Sequence, residues 1–210
     1  GLGITLAVTP LVSKLAVKIG AIDKPDARKV HHGAIPRLGG LAIFAGYIIS
    51  LVYSFPHEQN HDLLGLVLGT IILVAVGIWD DVKQIEPKTK LMGQIIAAAV
   101  LCAYGIRVDF INLPWGGTLF LHYWSVPLTI FWIVGFTNIV NLIVGLDVLA
   151  AGISGIACLV VSIVLINMGQ VALGCAALAL AGSICGFLRY NFNPAKIFMG
   201  DTGSMLLGYT

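Results

Sequence analysis

Apolar runs of near bilayer-spanning length recur along the whole chain, and little besides a bundle of membrane helices accommodates that pattern. The runs are Gly1 to Ala16, Leu38 to Phe55, Leu63 to Trp79, Leu91 to Ile106, Val126 to Leu142, Leu149 to Asn167 and Val171 to Leu188, with an eighth starting at Ser204. Composition agrees: 58% of residues are hydrophobic and 10% charged, where a soluble domain carries about 25% charged residues. The expected fold is an all-α polytopic membrane protein with about eight transmembrane helices in one domain, 1–210. The chain opens and closes inside apolar runs, so it is expected to be a fragment of a longer protein, truncated at both ends. Between the fourth and fifth runs, 107–124 alternates in part and contains the turn signal Pro114-Trp-Gly-Gly117, which predicts a short extracytoplasmic β-hairpin. Trp115, Tyr123 and Trp124 suit a headgroup belt.

Charge placement gives the orientation. If successive runs cross the membrane, eleven of the twelve Lys and Arg residues fall on one side, and Arg107 alone falls on the other. The positive-inside rule makes the first side cytoplasmic. Asp80, Asp81, Asn138, Asn141, Asp147 and Asp201 fall on that same side, all near span ends.

Each of these groups has a plain reading and a chemical one. Asp80 and Asp81 are adjacent carboxylates at a helix C-terminus, where the dipole is already negative. They need a nearby cation, either a metal or a lysine among Lys83, Lys88 and Lys90; the plain reading is a solvated acidic loop. Asn138 and Asn141 share a helix face and are candidate metal or phosphate ligands, or interhelical hydrogen-bonding groups. Asp201, Thr202 and Ser204 precede an apolar run and read equally as helix caps or as an anion-binding helix start. Phe198 is either an interface anchor or a stacking face. The charged stretch from Asp23 to His32, including Lys24, is either a positive-inside loop or a phosphate clamp. His31 and His32 are adjacent, a poor spacing for a metal pair. The four cysteines lie in apolar runs without metal-site spacing. No Walker loop or dinucleotide fingerprint occurs, and nothing points to nucleic acid.

Taken in order, Asp23-Lys-Pro-Asp-Ala-Arg-Lys-Val-His31, Pro36-Arg-Leu-Gly-Gly40, Asp80-Asp81, Asn138-x-x-Asn141 and Phe198-Met-Gly-Asp-Thr-Gly-Ser204 resemble the polyprenyl-phosphate N-acetylhexosamine-1-phosphate transferases, the glycosyl transferase family 4 membrane enzymes. The first motif is most similar to the branch using UDP-N-acetylglucosamine and undecaprenyl phosphate in bacterial envelope glycan synthesis, and less similar to the phospho-MurNAc-pentapeptide branch. The resemblance implies Mg²⁺-dependent transfer of N-acetylglucosamine 1-phosphate to polyprenyl phosphate, with release of UMP, in the bacterial plasma membrane with the active site facing the cytoplasm. By motif position it implies Asp80 and Asp81 as the catalytic acidic pair and Asn141 and Asp201 as Mg²⁺ ligands. It implies Lys90 as a diphosphate-binding lysine, Phe198 and Asp147 as the uracil pocket, and Asn138 and Lys24 as supports of the nucleotide site. A homodimer is compatible with it. Two departures stand out: where the family reads Asn-Leu-Ile-Asp-Gly-Leu-Asp-Gly-Leu, this chain has Val144 for the first Asp and Val148 for the Gly after Asp147. Loss of that glycine predicts a weakened uridine site. Two other readings stay open: a non-catalytic relative that keeps the fold, and a polytopic transporter, which would place its acidic groups mid-span.

Overall fold

A computed structural model describes residues 1–23, 35–54, 61–144 and 148–210. The described residues form eight α-helices: α1 (Leu2–Ile19), α2 (Gly39–Ser54), α3 (His61–Lys83), α4 (Pro87–Ala103), α5 (Ser125–Ile143), α6 (Leu149–Asn167), α7 (Val171–Asn191) and α8 (Gly200–Tyr209). The helices follow the apolar runs, because a backbone out of water must satisfy its own hydrogen bonds. Two small antiparallel ribbons accompany them. One, β1 (Ile22–Asp23) with β2 (Ile35–Pro36), has no counterpart in the sequence expectations. The other, β3 (Phe110–Asn112) with β4 (Thr118–Phe120), is the hairpin expected within 107–124, and Trp115, Tyr123 and Trp124 project from it and the 3₁₀ turn that follows.

Length and composition single out some of these helices as spans. Among the described residues, α1, α3, α6, α7 and the continuous segment His122–Ile143 are five helices long and apolar enough to cross a membrane. Helix α2 has 16 residues, α4 has 17 and α8 has 10. Helix α4 begins four residues before its apolar run and stops at Ala103, so its apolar part is shorter than the run of letters implied.

Small residues bring the helices together, as expected where packing rather than water exclusion drives association. Helix α8 runs among α2, α3 and α5. A Cβ on Gly77 of α3 would lie 2.5 Å from the Thr202 Cα, and one on Gly40 of α2 would collide with the Gly203 backbone. Helix α7 packs against α1, α2 and α6, and Gly186 sits against the Leu2 carbonyl. The outward faces of α5 and α6 carry large apolar side chains such as Phe131, Trp132, Ile156 and Ile163, as a lipid-facing surface does. The protein is an integral membrane protein.

The start of α2 and the start of α8 are stitched by backbone. Phe198 N donates to Pro36 O (2.8 Å), Gly39 N to Phe198 O (2.9 Å) and Gly40 N to Met199 O (2.8 Å). Two orphan donors of α2 are thereby satisfied by the segment that precedes α8. The Pro36–Gly40 and Phe198–Ser204 motifs, far apart in sequence, form one structural unit.

Candidate active site at the helix ends

The C-terminal ends of α3 and α5 meet the N-terminal ends of α4 and α8, and the polar motifs converge there. Asp201, in the first turn of α8, is the centre. Its Oδ1 accepts hydrogen bonds from Lys90 Nζ and Asn141 Nδ2. Its Oδ2 accepts one from Arg37 Nη2 at 3.0 Å. Lys90 also donates to Asp80 Oδ2 at 2.9 Å, and the Ile85 N–H donates to Asp80 Oδ1 at 3.0 Å. Lys90 thus bridges the acidic pair of α3 and the carboxylate of α8. Of the three lysines expected near Asp80, it is Lys90 that makes the contact.

Asp81 does something different from its neighbour. Its side chain is fully buried. Its oxygens accept from Asp201 N (2.9 Å), Thr202 N (3.0 Å) and Thr202 Oγ1 (2.7 Å), and Arg37 Nε lies 3.4 Å away. Helix α8 has no cap of its own. Asp81 supplies one from another helix, satisfying orphan N–H groups where the helix dipole favours negative charge. Gly200, just ahead of Asp201, has φ +72, and a Cβ there would meet Asp81 Oδ2 at 2.6 Å and collide with the Arg37 carbonyl. Only glycine permits both the conformation and the approach. Asp81 therefore anchors Asp201 by holding the turn that carries it.

The two amides of α5 are oriented by their partners. A carboxylate only accepts, so Asn141 must turn Nδ2 toward Asp201; that nitrogen also lies 2.7 Å from Ser204 Oγ. The Asn141 atom left for a ligand is Oδ1. Asn138 sits one turn further into the bundle, its Nδ2 donating to the Val134 carbonyl (2.8 Å) and to Gln94 Oε1 (2.9 Å). Gln94 is buried on α4, and its Nε2 has no partner among the described residues. Phe198 is half-buried in the chain-stitching segment, its backbone paired with Pro36 and Gly39. Lys24 and Asp147 lie outside the described residues, as do His31 and His32.

Electrostatics favour full charge at the centre. Burial alone would raise the Asp201 carboxyl, but Lys90, then Asn141 and Arg37, outweigh it and hold it below the ordinary carboxylate range. Burial alone would lower the Lys90 ammonium, and contacts with Asp201 and Asp80 instead hold it above its ordinary value. Both groups lie in first turns, ahead of the apolar stretches.

The donor set fits Mg²⁺ shared with a substrate. It is built of hard oxygens: the Asp201 and Asp80 carboxylates and the Asn141 amide oxygen. Among the described residues no three His, Cys, Asp or Glu side chains group to cage a metal. Mg²⁺ characteristically takes one or two carboxylates and completes its shell with phosphates and water.

Two residues in this site were not singled out by sequence. Arg37 touches Asp201 and Asp81, and its only signal was its place inside the Pro36–Gly40 motif. Gln94 follows Lys90 by one helical turn, a lone amide in an apolar run.

Residues 63–210 match the family model described as Glycosyl transferase family 4. Over 98% of its length the chain is 42% identical to a protein of Bacillus subtilis (strain 168) named probable undecaprenyl-phosphate N-acetylglucosaminyl 1-phosphate transferase. It is 36% identical, again over 98% of its length, to a decaprenyl-phosphate N-acetylglucosaminephosphotransferase of Mycobacterium leprae (strain TN). It is 34% identical over 95% of its length to a phospho-N-acetylmuramoyl-pentapeptide-transferase of Thermoanaerobacter sp. (strain X514), of which it covers 66%. The chain spans 57% and 56% of the first two relatives. With the family model covering most of the chain, and with the described motifs gathered at one end of the bundle, this protein belongs to glycosyl transferase family 4.

Proposed function

We propose that the intact protein transfers N-acetylglucosamine 1-phosphate from UDP-N-acetylglucosamine to a polyprenyl phosphate, releasing UMP, at the cytoplasmic face of a bacterial plasma membrane. The observation that carries the reading is the sharing of Asp201 by Lys90, Arg37 and Asn141 beside Asp80. Two cations, two carboxylates and an amide oxygen at a membrane-helix end suit a diphosphate and a phosphate meeting there. Phosphoryl transfer is chiefly positioning and charge neutralisation, and this cluster offers both. Acidic groups at helix ends rather than mid-span also disfavour the transporter reading.

In the proposed reaction an oxygen of the lipid phosphate forms a bond to the β-phosphorus of the UDP-sugar. The bond from that phosphorus to the bridging oxygen breaks, and the electron pair leaves on UMP. Mg²⁺, held by Asp201 and the Asn141 amide oxygen, would supply charge neutralisation of the diphosphate. Lys90 reaches both Asp80 and Asp201 and so holds a positive charge between acceptor and donor. Asp80, fixed by the Ile85 N–H, holds the Lys90 ammonium where it can orient the incoming lipid phosphate. A phosphate monoester has a second pKa near ~6, so the nucleophile is largely ionised at neutral pH without a strong general base. Asp81 acts through α8, keeping Asp201 in place.

The test is transfer of label. Intact protein in detergent, given Mg²⁺, undecaprenyl phosphate and UDP-N-acetylglucosamine labelled in the sugar, should place label in the lipid fraction with one UMP released for each. UMP release without lipid labelling, or neither, would overturn the reading. A second reading, a non-catalytic relative that keeps the fold, is favoured by one observation: Val148, beside the expected uridine-binding Asp147, is held at φ +69.

A further inference from the structure

Arg37 is held on three sides by carboxylates. Nη2 donates to Asp201 Oδ2 at 3.0 Å, Nε lies 3.4 Å from Asp81 Oδ1, and Nη1 lies 3.9 Å from Asp23 Oδ1. Its backbone is equally fixed: its N–H donates to the Ala21 carbonyl at 3.0 Å, and its carbonyl backs onto Gly200. The guanidinium therefore cannot swing away as a unit. The contact to Asp201 can be given up while those to Asp81 and Asp23 persist. Any divalent cation that takes Asp201 competes with Arg37 and Lys90 for the same two oxygens.

We infer that Arg37 is a diphosphate-binding residue that exchanges partners. It neutralises Asp201 until a metal ion takes that carboxylate, and its Nη2 edge then turns to the substrate diphosphate entering with the metal. This rests on the transferase reading above. Charge supports the exchange: a cation left opposite a newly bound metal is repelled, whereas diphosphate oxygens offer the acceptors that Asp201 withdraws. The planar fork of Arg suits bidentate contact with phosphate. Asp81 and Asp23 hold the fork aimed during the change.

The inference predicts effects of opposite sign on two ligands. In the intact protein, Arg37→Gln removes the competing cation. Mn²⁺ binding without nucleotide, read as loss of the free-ion EPR signal, should tighten by roughly threefold to tenfold, the scale of one partly screened ion pair. UDP-N-acetylglucosamine binding at saturating Mn²⁺ should weaken by about tenfold or more. Arg37→Lys, which keeps the charge but loses the fork, should leave Mn²⁺ affinity near wild type and recover part of the nucleotide affinity. A merely structural arginine would weaken both ligands together or neither. Unchanged or weaker Mn²⁺ binding in a folded Arg37→Gln protein would overturn the exchange. Should that variant not fold, unaltered nucleotide affinity in Arg37→Lys together with full tolerance of added diphosphate competitor would overturn it as well. Wild-type protein that binds Mn²⁺ but no UDP-sugar would instead overturn the transferase reading and the diphosphate half of this inference, while the Mn²⁺ comparison would still decide the competition.

Discussion

Val148 caps the start of α6 with φ +69 and ψ −32. A β-branched residue rarely adopts positive φ, because its Cβ crowds the backbone. Strain of this kind costs about 1–3 kcal/mol. The surroundings enforce it: the Val148 N–H donates to Asn191 Oδ1 at 3.0 Å, and its carbonyl accepts from the Gly152 N–H at 2.7 Å to open the helix. Val148→Gly should release the strain. Against that, glycine adds unfolded-chain entropy worth roughly 0.5–1 kcal/mol, and a half-buried side chain is lost. Strain less entropy amounts to about 0–2.5 kcal/mol, and because Val148→Ala loses the same side-chain contacts, that difference should appear as the advantage of glycine over alanine. Reversible unfolding in detergent would measure it, with Val148→Ala as control. Alanine keeps a Cβ and hence most of the strain, so it should gain little. An alanine variant as stable as the glycine variant would refute the argument from φ. If the strain also distorts the proposed uridine site at Asp147, Val148→Gly should tighten UDP binding in the same preparation.

Further predictions come from the same contacts. Asp81→Asn keeps one acceptor oxygen but sets its amide NH2 against either the Asp201 N–H and Arg37 or the Thr202 N–H, and it leaves Arg37 short of a buried charged partner, which should destabilise the fold by about 3–5 kcal/mol in detergent unfolding; a loss under 1 kcal/mol would contradict the cap. Gly77→Ala places a Cβ 2.5 Å from the Thr202 Cα, and overpacking of backbone should cost about 1–3 kcal/mol, with near-neutral stability as the contrary outcome. For Asp201 the folded pKa is depressed, so its ion-pair contribution is present above the unfolded value of 3.8 and is lost as pH falls through the folded one. The stability difference between wild type and Lys90→Met should then hold steady from about pH 8 to about pH 5 and shrink only in stronger acid; shrinkage already at about pH 6 would be inconsistent with it.

Much of the arrangement was legible in the sequence, for identifiable reasons. Apolar run length marks where helices lie, and motif placement at run ends forecast that Asp80, Asn141 and Asp201 would share one face. The hairpin was legible from Pro114 to Gly117. The need of Asp80 for a cation was also legible, since adjacent carboxylates at a helix C-terminus oppose the dipole. What the sequence hid is tertiary. The local reading of Asp201, Thr202 and Ser204 as self-capping missed that Asp81 on α3 caps α8. Nothing in periodicity reveals a cap supplied by another helix. Arg37 looked like one more positive-inside residue, because the backbone pairing of Pro36–Gly40 with Phe198–Met199 has no local signature. Eight helices follow the eight apolar runs, but an apolar run need not be helical along its whole length, as the end of α4 at Ala103 shows. The glycine argument at Val148 was legible in outline: the family pattern pointed to positive φ, and the backbone has it.

The measurement that tests the central claim most directly is metal-dependent binding of UDP-N-acetylglucosamine by the intact protein, wild type beside Asp201→Ala, each checked for folding. The account predicts saturable binding that requires Mg²⁺ and falls by at least about a hundredfold in Asp201→Ala, as loss of a charged ligand at a shared metal implies. Binding of equal strength without Mg²⁺, or in the variant, would contradict a site organised around Asp201.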